Sequence, residues 1–201
     1  MTRKRRNPPD HRALYNIAEQ QAGYFTTQQA AGASFSRERL VEHARTGRFK
    51  RLGRGIYRLS QFPSSPVEDL FVAWLRCGPK AVISHDSALA LHNLSDVVPG
   101  EIHITVARSS SRRRKGLRQH TSRLLPSDIK RREGLPVTSV PRTLGDAAKT
   151  GLAEEFVGEA ILQALKRGLT DRKALQREAR RRGGRAARLM RKYLDKGGAR
   201  S

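Results

Sequence analysis

Apolar positions in the first third of the chain recur with a helical period and then switch to a period of two. Leu14, Ile17 and Ala18 fall at i, i+3 and i+4, which predicts a helix over His11–Gln21 that Gly23 ends. Thr26 reads as an N-cap, with Gln29 three residues later completing a capping box and Phe25 placed as a hydrophobic staple. That opens a short helix, Thr27–Ala31, stopped by Gly32. Ser34 or Ser36 opens a third helix through Arg45 or Thr46, with Leu40, Val41 and Ala44 expected to face inward and Gly47 in C-cap position. Beyond Gly47, Arg48–Leu52 and Ile56–Leu59 alternate as strands, and Gly53-Arg54-Gly55 supplies hairpin chemistry between them. Helix, short helix, helix, hairpin is the order of a winged helix-turn-helix, expected over 11–61.

Phe62-Pro63-Ser64-Ser65-Pro66 interrupts the pattern and marks the expected domain boundary. Ser65-Pro66-Val67-Glu68 then starts a helix, with Ser as N-cap and Pro at the first position, and Val67, Leu70, Phe71, Trp74 and Leu75 form its apolar stripe. Trp74 reads as core and Cys77 as an inert thiol. Short strands are expected at Ala81–Ile83, Glu101–Val106, Leu117–Thr121 and Leu135–Thr138, interleaved with helices, the last of them carrying Phe156, Val157, Ala160, Ile161, Ala164 and Leu165. The fold class is therefore α+β: a winged helix-turn-helix, then an α+β domain over 66–170 with a small sheet, then a basic helical tail, 171–201, expected to be partly disordered.

Charge changes the picture more than composition does. The 201 residues hold 41 Lys+Arg against 18 Asp+Glu, a formal charge of +23. Residues 1–60 carry 13 basic and 4 acidic side chains, residues 61–170 carry 16 and 11, and residues 171–201 carry 12 and 3. The excess sits at the two ends, which argues for dedicated basic surfaces and a polyanionic partner. One cysteine excludes a disulfide framework and a Cys-type zinc site, and suits a reducing cytoplasm. No apolar run is long enough to span a membrane, and no apolar segment follows the basic N-terminus as a secretory signal would require.

A helix of about 10 Å diameter fits the DNA major groove, and a basic hairpin beside it holds flanking phosphates. The candidate DNA-binding residues are therefore Ser36, Arg37, Arg39 and His43 on the third helix and Arg48, Lys50, Arg51 and Arg54 on the hairpin. Arg37 is best placed for a base edge, and an N-terminal arm, residues 1–10 with Arg3–Arg6, adds non-specific attraction. The competing reading is a solvated basic face used for protein contact.

Catalytic and metal signatures are not found. There is no P-loop, G-x-S-x-G, dinucleotide fingerprint or H-E-x-x-H, none of the ten glutamates begins Glu-x-Lys, and no Asp-x-Asp occurs. Glu154, Glu155 and Glu159 read as a solvated helix face. His85 and His92, seven apart, share a helix face and read as structural histidines. The basic loop Arg112–Lys115 is as readily a solvated turn as a contact surface. No catalytic residue, metal or cofactor is expected; the chain reads as a binding protein rather than an enzyme.

The order of these segments resembles a known family. Gly23-Tyr24-Phe25-Thr26-Thr27-Gln28-Gln29-Ala30, the hairpin Arg51-Leu52-Gly53-Arg54-Gly55-Ile56-Tyr57, then Ile83-Ser84-His85-Asp86-Ser87-Ala88-Leu89, Ile102-His103-Ile104-Thr105-Val106 and Gly134-Leu135-Pro136-Val137-Thr138-Ser139-Val140-Pro141-Arg142-Thr143-Leu144-Gly145-Asp146 together resemble the AbiEi-type antitoxins, transcriptional regulators of type IV toxin–antitoxin modules. The resemblance spans roughly residues 11–170. It implies a winged helix that binds inverted repeats in double-stranded DNA at its own promoter, with Arg37, Arg39, Arg51 and Arg54 in the DNA-binding role. It also implies a second domain carrying antitoxin activity against a nucleotidyltransferase-like toxin, which need not be bound physically. The alternatives are an antitoxin that neutralises its toxin by direct contact, or a divergent nuclease.

Overall fold

The computed structural model describes residues 8–95, 99–107 and 115–198, and the chain divides into two compact units. The first runs up to Pro79 and includes Glu133–Leu135; the second comprises Lys80–Arg132 and the chain from Pro136. The expected arm, Arg3–Arg6, and the loop residues Arg112–Arg114 lie outside the described residues.

In the first unit the elements are α1 (His11–Glu19), β1 (Tyr24–Thr26), α2 (Thr27–Gly32), α3 (Arg37–Arg45), β2 (Phe49–Gly53), β3 (Ile56–Leu59) and α4 (Glu68–Cys77). Local chemistry sets the starts of the helices. Asp10 accepts from the Ala13 N–H at 2.8 Å to cap α1. The Thr26–Gln29 capping box forms in both directions, at 3.1 and 2.8 Å. Ser36, not Ser34, caps α3, accepting from the Arg39 N–H.

The strands pair antiparallel in the order β1-β3-β2, so β3 is central. All four of its residues are buried, because both sheet faces are covered. On one face Phe25 and Tyr57 join Leu14, Ala30, Phe35, Leu40 and Phe49 beneath the three helices. On the other, Tyr24 stacks on Phe71 of α4 at 4.6 Å, and Arg58 lies over the Tyr24 ring and 3.5 Å from Glu68. Tyr24 donates its phenolic proton to Glu68 at 3.0 Å. Trp74 is buried against Phe71, as expected of a core residue. This corrects the expected boundary at 62–66: α4 belongs with the first unit, and the division falls after Pro79. Pro/Ser punctuation marks a turn, but the apolar stripe of α4 is what closes the open face of the sheet.

In the second unit come β4 (Val82–Ile83), α5 (His85–Leu91), β5 (Ile102–Val106), β6 (Leu117–Thr121), β7 (Ile129–Arg132), β8 (Leu135–Thr138), α6 (Val140–Thr150), α7 (Glu154–Lys166), α8 (Arg172–Arg182) and α9 (Gly184–Gly198). The sheet order is β6-β5-β4-β8-β7, with β4 antiparallel to β5, and with β4–β8 and β5–β6 parallel. Val140, Leu144, Val157, Ile161, Leu175, Leu189, Met190 and Leu194 supply one continuous apolar core from α6 to α9. Gly158 lets α9 approach α7: a Cβ there would meet the Tyr193 ring at 2.0 Å. Among the described residues no helix is long and apolar enough to cross a membrane.

The basic tail is helical, as expected, and it packs into the core. Residues 172–198 form α8 and α9, whose small and apolar residues (Leu175, Ala179, Ala186, Ala187, Met190) are core. Half of their described cations are turned to structural use, while Lys173, Arg177, Arg180, Arg188 and Arg191 face solvent. Arg142 of α6, 4% exposed, bonds Asp146 at 2.9 Å and Asp128 at 3.3 Å. Arg181 reaches Asp128 at 2.7 Å, Arg182 reaches Asp146 at 2.6 Å and Glu178 at 2.7 Å, and Arg181 also pairs with Glu178. Arg185 donates to the carbonyls of Ala148 and Leu152, and Lys192 pairs with Glu154. Burial pushes the Asp128 carboxyl up, but hydrogen bonds from Arg181 and the Leu125 N–H and the charges of Arg181 and Arg142 outweigh it, so its pKa lies below the ordinary 3.8.

Removing one member of a buried ionic cluster strands its partners, so Arg142→Ala is expected to destabilise the protein by about 3–5 kcal/mol in urea denaturation. The depressed Asp128 pKa means that its contribution is complete above the unfolded carboxylate value and is lost as pH falls through the lower folded value. Wild-type stability should therefore drop steeply below about pH 4, and Asp128→Asn should be weaker at neutral pH with a shallower acid loss. An acid profile of Asp128→Asn parallel to that of wild type would contradict this.

Candidate nucleic-acid interface

Helix α3 packs on β2 through Leu40 and presents three rows of side chains spaced by four. Arg37, Val41 and Arg45 form one row, Glu38 and Glu42 the next, and Arg39 and His43 the third. Arg37 and Arg39 are exposed, as expected, but on opposite flanks of the helix. Val41, expected to face inward, is 59% exposed. The inward face is narrower than the sequence suggests, because Phe35 and Phe49 already fill the space beside Leu40.

His43 is half-buried rather than free at the helix surface. Its ring lies 4.7 Å from that of Phe49, 5.8 Å from Phe35 and 5.7 Å from His11. Burial, reinforced by Arg48, His11 and Arg39, lowers its pKa from 6.5, which leaves it neutral at physiological pH. Ser36 is occupied as the N-cap. These two candidates therefore shape α3 more than they present charge from it.

Arg45 is a cation that the sequence reading left out. It ends the Arg37–Val41 row and is held to Glu42 at 2.9 Å in an exposed pair, worth little energetically and readily exchanged for a stronger anion. The signal was its i+8 spacing from Arg37. Burial strengthens none of the exposed hairpin cations Arg48, Lys50, Arg51 and Arg54. The register places them differently. Arg51 lies opposite Tyr57, on the helix side of the sheet, and Lys50 lies opposite Arg58, on the α4 side. Arg54 sits in the turn before Gly55, whose φ of +74° a side chain would strain. Arg39 and Arg48 both act on His43, so these two gather on one flank of α3. The candidates thus fall into three groups: Arg37 with Arg45 around Val41, Arg39 with Arg48, and Arg51 with Arg54. Lys50 belongs to the opposite face.

An exposed apolar side chain between two arginines on a helix suits a base edge, where a valine meets the thymine methyl and arginine meets guanine acceptors. The surrounding cations suit phosphates.

Residues 12–60, which cover α1 through β3, match the family described as transcriptional regulator, AbiEi antitoxin. No curated protein matches the chain. Among solved structures, the chain is similar to the RV2827C protein from Mycobacterium tuberculosis, with a TM-score of 0.56 and 18% identity over 96% of this chain and 79% of that one. That likeness is one of fold.

His43 is expected to titrate below 6.5 in an NMR pH series. A midpoint above 6.5 would show that the ring is solvated or anion-paired instead.

Proposed function

We propose that the chain is a DNA-binding antitoxin that represses its own toxin–antitoxin operon in the cytoplasm. In this reading α1–β3 is a winged helix-turn-helix, α3 is its recognition helix and the β2–β3 hairpin its wing. The observation that carries the proposal is a coincidence: the segment similar to transcriptional regulators is the one whose exposed helix carries Arg37, Val41 and Arg45. Base discrimination falls to Arg37, Val41 and Arg45, with Arg39, Arg48, Arg51 and Arg54 on phosphates and Lys50 a minor contributor. Paired half-sites then follow from two copies binding inverted repeats. The second unit carries the antitoxin activity and opposes a nucleotidyltransferase-like toxin, functionally rather than through a required stable complex. The chain is a regulator and not an enzyme, as the matched family is regulatory.

Binding to the DNA upstream of the reading frame is the test. Arg37→Ala should lose roughly 1–3 kcal/mol of discrimination between cognate and scrambled sites, whereas Arg51→Ala should weaken both alike and lower the salt slope by about 1. Val41→Ala should lose preference at an A·T position only. Equal affinity of wild type for cognate and scrambled DNA at physiological salt sinks the proposal.

A further inference from the structure

Three histidines of the second unit converge although 35 residues separate the first from the last. β5 and β6 run parallel with Thr105 opposite His120 and His103 opposite Arg118, so His103, Thr105 and His120 share one sheet face. Helix α5 lies on that face. The Ser87 hydroxyl accepts from the His103 N–H at 2.8 Å, and Thr105 donates to Ser84 at 2.8 Å. His85, the first residue of α5, is held at φ +52°, a conformation that non-glycine residues adopt only when their surroundings impose it. Its ring stacks on His120 at 3.5 Å and lies 5.9 Å from His103. One ring nitrogen from each of the three falls within 4.8 Å of the others. His92, the expected companion of His85, instead bonds the Thr138 carbonyl at 2.8 Å and is no part of the group.

His85 Nδ1 bonds the Ser84 hydroxyl at 2.9 Å and its Nε2 lies 3.9 Å from Asp146, but the rest of the cluster is short of hydrogen bonds. Nδ1 of His103 and Nε2 of His120 are buried without a partner, and so is Oδ1 of the adjacent Asp86, whose other oxygen lies 4.0 Å from His103 Nδ1. Buried polar atoms without partners are rare because each forfeits its hydration, and three in one place point to a missing common partner. All three rings are neutral, the form that binds a cation. Burial, the neighbouring imidazoles and the Arg182 and Arg142 charges push His85 down to about 2. Burial, His103 and Arg118 push His120 down to about 4, and burial lowers His103.

We propose that His85, His103 and His120 bind a divalent transition-metal ion of the zinc class, with Asp86 available as a fourth ligand. A Zn²⁺ ion takes three imidazoles and a carboxylate or water at about 2.0–2.2 Å. Tetrahedral ligands then stand roughly 3.3 Å apart, so ring nitrogens now within 4.8 Å of one another close by up to about 1.5 Å and the stacked pair opens to converge its lone pairs. The ion ties α5 to both strands at an edge of the sheet. The proposal goes beyond the DNA-binding reading and does not depend on it.

Tag-free full-length protein titrated with Zn²⁺ against a chromophoric chelator, and with Co²⁺ by absorption, tests it. One ion per chain is expected, with intense tetrahedral Co²⁺ bands. His120→Ala, on the accessible side of the cluster, and His103→Gln should each weaken binding at least tenfold, while His11→Ala in the first unit leaves it unchanged. The thermal midpoint should rise with Zn²⁺ in wild type and in His11→Ala but not in the cluster variants. Wild-type protein that takes up no ion at micromolar concentrations overturns the proposal, as does a folded His120→Ala that binds Zn²⁺ as tightly as wild type.

Discussion

The ionic cluster of Asp128, Arg142, Asp146, Glu178, Arg181 and Arg182 is the constraint on which the second unit depends. It joins the turn before β7 to α6 and α8, elements that hydrophobic contact alone would allow to slide. Burying such charges is favourable only when each is hydrogen-bonded, and here two or more contacts hold every acid and each of the three arginines. The geometry therefore fixes the register of α8 against α6, and with it the row of alanines that admits α9. Apolar residues hold this unit together; the ions decide in which arrangement.

That cluster also alters the meaning of the net charge. The last thirty residues look in sequence like a polyanion-binding tail. In the fold, Arg181 and Arg182 face carboxylates, Arg172 and Arg185 donate to carbonyls, and Lys192 pairs with Glu154. In the first unit the exposed cations of α3 and the hairpin are joined by Arg12 and Arg76, and in the tail Lys173, Arg177, Arg180, Arg188 and Arg191 still face solvent, so the fold uses only part of the second concentration of charge.

Most local rules were legible in the sequence and non-local ones were not; an exception is the expected Ser65 cap, since α4 starts at Glu68 with Val67 at the N-cap and no side-chain cap bond. The Thr26–Gln29 box, the α3 cap and the β2–β3 turn rest on residues within four positions of one another, and all form as read. Trp74 was legible as core, but not that its helix closes the first sheet, because nothing in the α4 stripe names the face it covers. Val41 was misplaced since Leu40, Val41 and Ala44 fit a helical stripe equally well until Phe35 and Phe49 occupy the inner side. Glu178 is a local partner of Arg181 and Arg182, but their other carboxylates, Asp128 and Asp146, lie 53 and 36 residues away. The histidines meet only because two strands run parallel in one particular register, and single-sequence spacing carries no trace of that.

Burial of β3 on both faces sets how much chain the first unit needs. The match to the regulator family ends at residue 60, yet Tyr24 and Arg58 inside that stretch rest on Glu68 and Phe71 beyond it. A piece ending at the last recognisable residue would expose an aromatic ring and a guanidinium that the intact chain keeps from water. The compact unit is thus longer than the matched segment. Its final helix completes it by offering the Phe71 ring to Tyr24 and the Glu68 carboxylate to Arg58.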